Sequence, residues 1–476
     1  MRTALPLVLS AMLAGCVSNP EYNAPDLIEA VSASDKFVRA VAPTERPADL
    51  GLRWWTTVGG SELDELVEAL LDGSPSLEAA RARVAQSRAL SRQALANRLP
   101  SVSGSVDAGE LALLDPISTP FMQSSTYSLS AAWNLDIFGR LRAAERAARL
   151  RETASALAET DLQRSLIAEL CRAYVTARAL KQRIEITRGL AASFENTATL
   201  TDDRYRLGSR TIGALDVQIA RQNAYSAAAD VPALEANFLI QVQAIDALLG
   251  RLPGTTQLSF DEAASAAALP DLSIGSPADL LISRPDVAVA EAQFRAGLAD
   301  LGVARADLLP SFTLTTALTQ STSPANVLGA QTLIATYAGQ IVAPIFEGGR
   351  RRAEVRRAKA ATEELAADFA AAAISALNEV ETALVQQGST AEELTLRTAS
   401  LNAAVLSDQI ATERYAAGQV SLITLLETRR SLDAARQSAV SAEEARLLAF
   451  VALHESLGGQ WFANDDSSQE RTDNVG

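Results

Sequence analysis

Residues 133–141 read WNLDIFGRL, and they open a stretch that closes at Arg204-Tyr205-Arg206-Leu207-Gly208. From Arg140 to Arg206 there are 67 residues with one interior glycine, Gly189, and no proline. As a single helix this segment would be about 100 Å long at ~1.5 Å per residue, roughly three times the hydrocarbon thickness of a bilayer. Helices of globular domains average about three turns, so a globular fold has no use for such a rod. Leu162, Leu166, Leu170 and Tyr174 recur every fourth residue along it, which predicts a seam for neighbouring helices.

The stretch comes twice. PIFEGGRRR at 344–352 opens a second copy that ends at Arg414-Tyr415-Ala416-Ala417-Gly418, with Leu377, Val380 and Leu384 spaced by three and four. Working outward, Pro75 matches Pro285, Leu99-Pro100-Ser101 matches Leu309-Pro310-Ser311, and Arg140 matches Arg350. Tyr205 matches Tyr415 and Gly208 matches Gly418, all at an offset of 210. One duplicated unit therefore fills most of the chain.

Between the helices the period changes to two. Helical pattern starts near Ser61, pauses at Gly73-Ser74-Pro75, and resumes from Leu77 to Arg98 before Leu99-Pro100-Ser101 stops it. Ser101-Val102-Ser103-Gly104-Ser105-Val106 then alternates, and Tyr127-Ser128-Leu129-Ser130-Ala131 alternates again into Trp133. This predicts a β-hairpin with arms of about ten residues, the length of a tilted transmembrane strand. A second hairpin is expected to pair Phe312 to Thr319 with Thr332 to Ala343. Composition alone also fits a soluble surface hairpin, but the placement between two very long helices argues for the membrane. Return helices are expected from Ile212 to Leu249 and from Leu422 to Leu457, with a kink or break at Pro232.

The expected layout is then a signal peptide over 1–15, an extended arm over 16–60, a first repeat over 61–250, a linker over 251–276, a second repeat over 277–459 and a flexible tail over 460–476. The hairpins fall at about 101–134 and 311–344, and the long helices at about 139–207 and 349–417. The fold class is mainly α with a small β part and an internal two-fold repeat.

At the start, Arg2 and the apolar run Ala4 to Leu13 lead into Leu13-Ala14-Gly15-Cys16, which resembles a bacterial lipobox. In such precursors cleavage leaves the cysteine first, carrying acyl chains such as palmitate. Cys16 is thus the expected lipid attachment point, although an ordinary secretory signal with an incidental cysteine would read similarly. Residue 17 is Val, so the Asp that typically retains such lipoproteins in the inner membrane is absent. Cys171 is the one other cysteine, which leaves no internal disulfide to form, and its apolar neighbours mark it as a small core residue. No run of eighteen apolar residues follows.

A net charge of −15, from 42 basic and 57 acidic residues, excludes nucleic acid as a partner. Catalysis finds little support either. The single histidine, His454, has no metal-ligand spacing around it and reads as a packing or capping residue. Glu363-Glu364 and Glu443-Glu444 read as solvated helix faces, and Gly139 and Gly348-Gly349 as strand-to-helix turns without a phosphate-loop lysine. No cofactor is expected beyond the lipid on Cys16, and no metal.

Trp133 to Arg140, Leu281 to Glu291 (LISRPDVAVAE), Pro344 to Arg350 and the two Tyr-x-x-Gly turns occur as an ordered set at a fixed offset. In this the chain resembles the TolC-like outer membrane efflux proteins, and within them the lipid-anchored branch labelled NodT-like, from roughly residue 50 to residue 460. The resemblance implies a homotrimer. Three four-stranded contributions would close one twelve-stranded transmembrane β-barrel, continued by a long periplasmic α-helical barrel, because four strands alone leave open edges that lipid does not tolerate. It also implies a tripartite exporter, in which a periplasmic adaptor and an inner-membrane transporter of the RND type join this outer membrane duct.

The same resemblance assigns sites. Gly208 and Gly418 stand where a helix ends in a left-handed cap. The tip they form, with Arg204, Tyr205, Arg414 and Tyr415, is the expected adaptor docking surface, although a turn and a helix C-terminus alone would explain these residues. Beyond the second turn, Ile423 would supply an apolar ring at the periplasmic aperture, Glu427 an acidic ring and Arg430 its partner. Asp216 is a second acid near it, one residue off the repeat offset. Three acids around one axis repel, hold each other's pKa up and favour cations. The alternative function is a lipid-anchored periplasmic helical tether that does not conduct.

Overall fold

The computed structural model describes residues 53–112, 121–209, 212–260, 269, 283–322 and 332–458. Cys16, the signal peptide, the arm up to residue 52, most of the linker and the tail lie outside them. Mainly helix, with one small sheet, the chain runs in the order α1 (Thr56–Gly73), α2 (Pro75–Ala96), β1 (Ser101–Ala112), β2 (Phe121–Leu135), α3 (Arg140–Arg206) and α4 (Ala214–Leu248). There follow α5 (Pro285–Ala306), β3 (Ser311–Thr322), β4 (Thr332–Val342), α6 (Arg350–Ala416) and α7 (Leu422–Ser456). The repeat is visible in lengths: α3 and α6 have 67 residues each, α2 and α5 have 22, α4 and α7 have 35.

Two compact units divide these elements. The first holds Arg81–Ala158 and Ala288–Ala372, including all four strands. Its sheet is antiparallel in the order β1-β2-β3-β4. The hairpins pair Ser101 with Ala132 and Ser311 with Val342, and β2 joins β3 through pairs such as Leu129 with Leu318. Below the strands, α5 lies close against α6 because Gly297 has no side chain: a Cβ there would stand 2.7 Å from Leu365 Cδ1. Thr362 Oγ1 donates to the Gly297 carbonyl at 3.1 Å across the same contact, and Phe294 stacks on Phe369 at 6.5 Å. Leu301 and Ala304 bury against Ala358 alongside.

The second unit collects the described residues of Glu29–Ala80, Glu159–Val287 and Ala373–Gly476. Its core sets Trp54, Trp55, Leu63, Val67 and Leu70 against Leu166, Leu170, Cys171 and Tyr174 of α3, with Ile245, Leu447, Phe450 and Val451 closing it. Each fully buried aliphatic or aromatic side chain is worth about 1.5–3 kcal/mol here. The stripe from Leu166 to Tyr174, expected to be a seam for neighbouring helices, packs against helices of the same chain. Its partners are the two tryptophans and α1, which composition could not place there. The helical pattern also begins earlier than Ser61, at Thr56, with Gly60 at φ +61° interrupting it.

Pro232 does not break α4, which runs on from Ala214 to Leu248. The proline removes one N–H and frees the Ala228 carbonyl, but both residues are exposed, so water can take that bond. The Arg-Pro-Asp of the second repeat is a structural knot. Arg284, 1% exposed, donates to Asp286 Oδ2 at 2.6 Å and to the Ser456 carbonyl at 3.0 Å, and its Nη2 lies 2.7 Å from Glu379 Oε2. It thus ties the start of α5 to α6 and to the end of α7. Glu443 and Glu444 are not merely solvated: they pair with Arg178 at 3.2 Å and Arg183 at 3.1 Å. Cys171 is fully buried and its thiol is pushed far up by desolvation, so it is inert packing.

Candidate functional site: the sheet faces and the helical turns

Because side chains alternate along a strand, the registers fix two faces. One carries Val102 and Val106 of β1, Tyr127, Leu129 and Trp133 of β2, Leu314 and Leu318 of β3, and Tyr337 and Ile341 of β4. The other carries Ser101, Ser103 and Ser105, then Thr126, Ser128 and Ser130, then Thr313, Thr315 and Thr319, with Thr336 and Gln340. Hydroxyls meet across it, as in Ser103 with Ser130 at 2.9 Å, and Thr313 donates to Asn134 Oδ1 at 2.9 Å. The apolar face stays open to its surroundings, Val106 being 68% and Tyr337 82% exposed. A patch of this size on a soluble surface would aggregate, whereas apolar-out and polar-in alternation is what a sheet between lipid and water needs. No helix among the described residues is long and apolar enough to cross a membrane.

At the other end of the long helices, both turns close by the same hydrogen bonds. Ser209 N donates to the Arg204 carbonyl at 3.1 Å and Gly208 N to the Tyr205 carbonyl at 3.0 Å. Gln419 N and Gly418 N repeat this to Arg414 at 2.8 Å and Tyr415 at 3.0 Å. Both glycines are left-handed, at φ +79° and +71°, which completes a Schellman cap in each copy. The structure brings Arg204 and Tyr415 together across the two turns, the guanidinium 5.6 Å from the ring centre. The Tyr415 ring rests on the cluster of Phe194, Ala198, Ala220, Leu422 and Leu426, while its buried hydroxyl has no hydrogen-bond partner among the described residues. Tyr205 and Arg414 are exposed.

Ile423, Glu427 and Arg430 fall at i, i+4 and i+7 of α7 and share one exposed face, Ile423 being 51% exposed. Within the chain Arg430 is not joined to Glu427. It donates twice to Asn223 Oδ1 on α4, at 3.0 Å and 2.6 Å. Glu427 makes no hydrogen bond or ion pair with another described residue. Asp216 is a capping acid, accepting from Gly213 N at 2.8 Å at the start of α4. The first turn is two residues longer than the second, so α4 matches α7 at an offset of 208, and Asp216 stands level with Thr424.

Sequence reasoning passed over Arg429. It donates to Thr197 Oγ1 and to the Ser193 carbonyl on α3, and its Nε lies 3.9 Å from Asp408 Oδ1 on α6. The signal was present: Leu422, Leu425, Leu426 and Leu432 mark the buried stripe of α7, and position 429 lies on it. No group of acids, histidine or cysteine suited to a metal occurs among the described residues.

A sheet with one lipid-fit face, joined to helices of 67 residues, defines an outer membrane channel subunit. The chain belongs to the outer membrane efflux protein family, whose family model matches residues 66–251 and 277–459. It is 32% identical over 470 residues to the pyoverdine export outer membrane protein OpmQ of Pseudomonas aeruginosa, covering 96% of this chain and 97% of that protein. To the toluene efflux pump outer membrane protein TtgF of Pseudomonas putida it is 31% identical, over 98% of both. Among solved structures, the outer-membrane channel OprN superposes with a TM-score of 0.82 at 29% identity, over 94% of this chain and 100% of that one. These are efflux proteins of the outer membrane, and the outer membrane is this chain's location.

Proposed function

We propose that three copies of this chain form a passive exit duct, the outer membrane part of a tripartite exporter. The observation that carries this is the sheet: one apolar face, one hydroxyl face and two unpaired edge strands, on a chain whose helices are too long for a globular domain. Four strands cannot enclose a lumen, and backbone edges left open in lipid cost several kcal/mol per group, so closure needs further copies. Twelve strands from three chains enclose a lumen lined by the serines and threonines. Energy comes from an inner-membrane transporter, of the RND type, and a periplasmic adaptor docks at the turns through Arg204, Tyr205, Gly208, Arg414, Tyr415 and Gly418. Ile423 and Glu427 ring the periplasmic aperture, with Arg430 and Asp216 beside it. Cys16 carries the lipid that anchors the arm. The chain works by shape, as a conduit.

A tether that does not conduct would have no use for the apolar face. Electron microscopy of the protein extracted from outer membranes in mild detergent tests the choice. A threefold hollow cylinder much longer than the membrane is thick is expected, and single-channel currents in planar bilayers with it. Solid rods or monomers without a barrel would leave the tether. Mass spectrometry of the mature N-terminus would find Cys16 acylated, and an unmodified cysteine there would remove the lipid anchor from the account.

A further inference from the structure

The start of each long helix carries the opposite charge from the chain as a whole. Residues 140–151 of α3 hold five basic side chains and one acid, and residues 350–359 of α6 hold six and one, in a protein of net charge −15. Arg142, Arg146 and Arg149 fall at i, i+4 and i+7 and so form one stripe, which Arg352, Arg356 and Lys359 repeat at the offset of 210. All six are exposed, and Arg146, Arg352 and Arg356 pair with no other described residue.

The hand of the sheet decides which way the stripes point. Gly104 faces Leu129, and a Cβ on Gly104 would stand 3.9 Å from the Ser128 carbonyl oxygen, so Ser105 and Ser128 form the hydrogen-bonded pair. Residues of the apolar parity on β1 therefore turn their N–H groups away from β2. For L-residues on a rising strand, those groups lie to the right of a viewer whom the side chain faces, which puts β2 to the left of β1 seen from the apolar side. Descending from β2, α3 then has α2 on its right, where Arg98 meets Glu145 and Arg88 meets Glu152. On its left is α5, where Arg140 and Arg151 reach Asp307 and Asp300. A right-handed helix running downward crosses its near side from right to left, and the positions crossed between those contacts are 149, 142 and 146. The stripe thus lies on the apolar side of the wall.

We propose that the two stripes bind anionic phosphate headgroups of the phospholipid leaflet that borders the helical end of the sheet. The inference rests on the reading of the apolar sheet face as lipid-facing. At that end the Trp133 indole donates to the Arg98 carbonyl at 2.9 Å, as an aromatic side chain does where hydrocarbon gives way to a headgroup layer about 5–8 Å deep. At ~1.5 Å per residue, Arg146 and Arg356 lie about 6 Å below Arg142 and Arg352. That distance is within one screening length, about 8 Å at physiological salt, so the charges act on the headgroups together.

Native mass spectrometry of the full-length protein, released from nanodiscs of equal phosphatidylglycerol and phosphatidylcholine, tests the assignment. Phosphatidylglycerol should be retained at least three-fold over phosphatidylcholine. The ratio should fall toward one in R146Q/R352Q/R356Q and persist in R146K/R352K/R356K, which keeps the charge. Equal retention of both lipids by the unsubstituted protein, or a ratio that the glutamines leave unchanged, would overturn the headgroup site. An unchanged lipid ratio with altered ion selectivity in planar bilayers would overturn it too, by turning the stripes to the lumen. A protein that fails to enter nanodiscs at all would instead overturn the lipid-facing reading of the sheet.

Discussion

Asp246 has no exposed surface, yet its surroundings are built for an anion. Burial alone would raise its pKa, but hydrogen bonds from Thr256, Gly254 and Thr255 outweigh this and hold it below the usual carboxylate range. The Gly254 amide approaches to 2.6 Å and that of Thr256 to 3.0 Å, so this one side chain pins the chain leaving α4. Glu62 does the same further on, accepting from Ser259 N at 2.6 Å and Phe260 N at 3.0 Å. A depressed folded-state pKa means stability that is present above the ordinary aspartate value and lost as pH falls through the lower folded one. Asp246→Ala should cost about 1–3 kcal/mol by orphaning the buried Thr256 amide and releasing that of Gly254, read as a lower unfolding midpoint and faster amide exchange at Gly254 and Thr256. His454 works with the opposite charge. It stacks on Trp54 at 4.8 Å, and burial lowers its pKa to about 3. The unfolded chain then binds the extra proton, so stability should fall by about 1.4 kcal/mol per pH unit between roughly pH 6.5 and that folded value. His454→Phe should flatten this slope in urea titrations between pH 7 and 5, and an unchanged slope would place it elsewhere.

Elements were legible where they are local and repeated. The caps at Gly208 and Gly418, the hairpin alternation and both long helices follow from spacing that neighbouring residues enforce. An added Cβ at Gly418 would touch nothing within 4 Å, so Gly418→Ala should cost only the left-handed backbone, about 1–2 kcal/mol. Exchange confined to the end of α6 would report it, and protection unchanged there would argue that the cap is dispensable. Pro232→Ala should raise the melting temperature, since an interior proline costs a helix up to about 3 kcal/mol. What stayed hidden in the sequence is long-range. Glu443 and Glu444 looked solvated because Arg178 and Arg183 are more than 250 residues away. Asp216 lies one residue off the 210 offset from Glu427, but the two extra residues of the first turn set it level with Thr424, where it also caps α4. Within the single chain Arg430 is held by Asn223 on α4, a contact that the sequence of α7 could not show.

For the whole molecule, function was legible because closure is a geometric demand that the strand count and the two sheet faces make together. The apolar and hydroxyl faces could be read from alternation alone, while the joining of β2 to β3 needed the structure. Glu427 stands exposed beside Ile423 and unpaired among the described residues, so in the proposed trimer its charge would be free to act on whatever passes the aperture. Glu427→Gln should lower cation over anion permeability several-fold in planar bilayers, with the effect shrinking as salt rises from about 0.1 M to 1 M and shortens the screening length. Equal selectivity in both proteins would move the aperture elsewhere. The two open edges also have a consequence for inheritance. If each ring needs every β1 and every β4, one chain with a faulty edge disables two sound ones. A cell making equal amounts of both would then keep about one assembly in eight intact under random threefold mixing, so an edge mutation would behave as a dominant allele even though it encodes a loss.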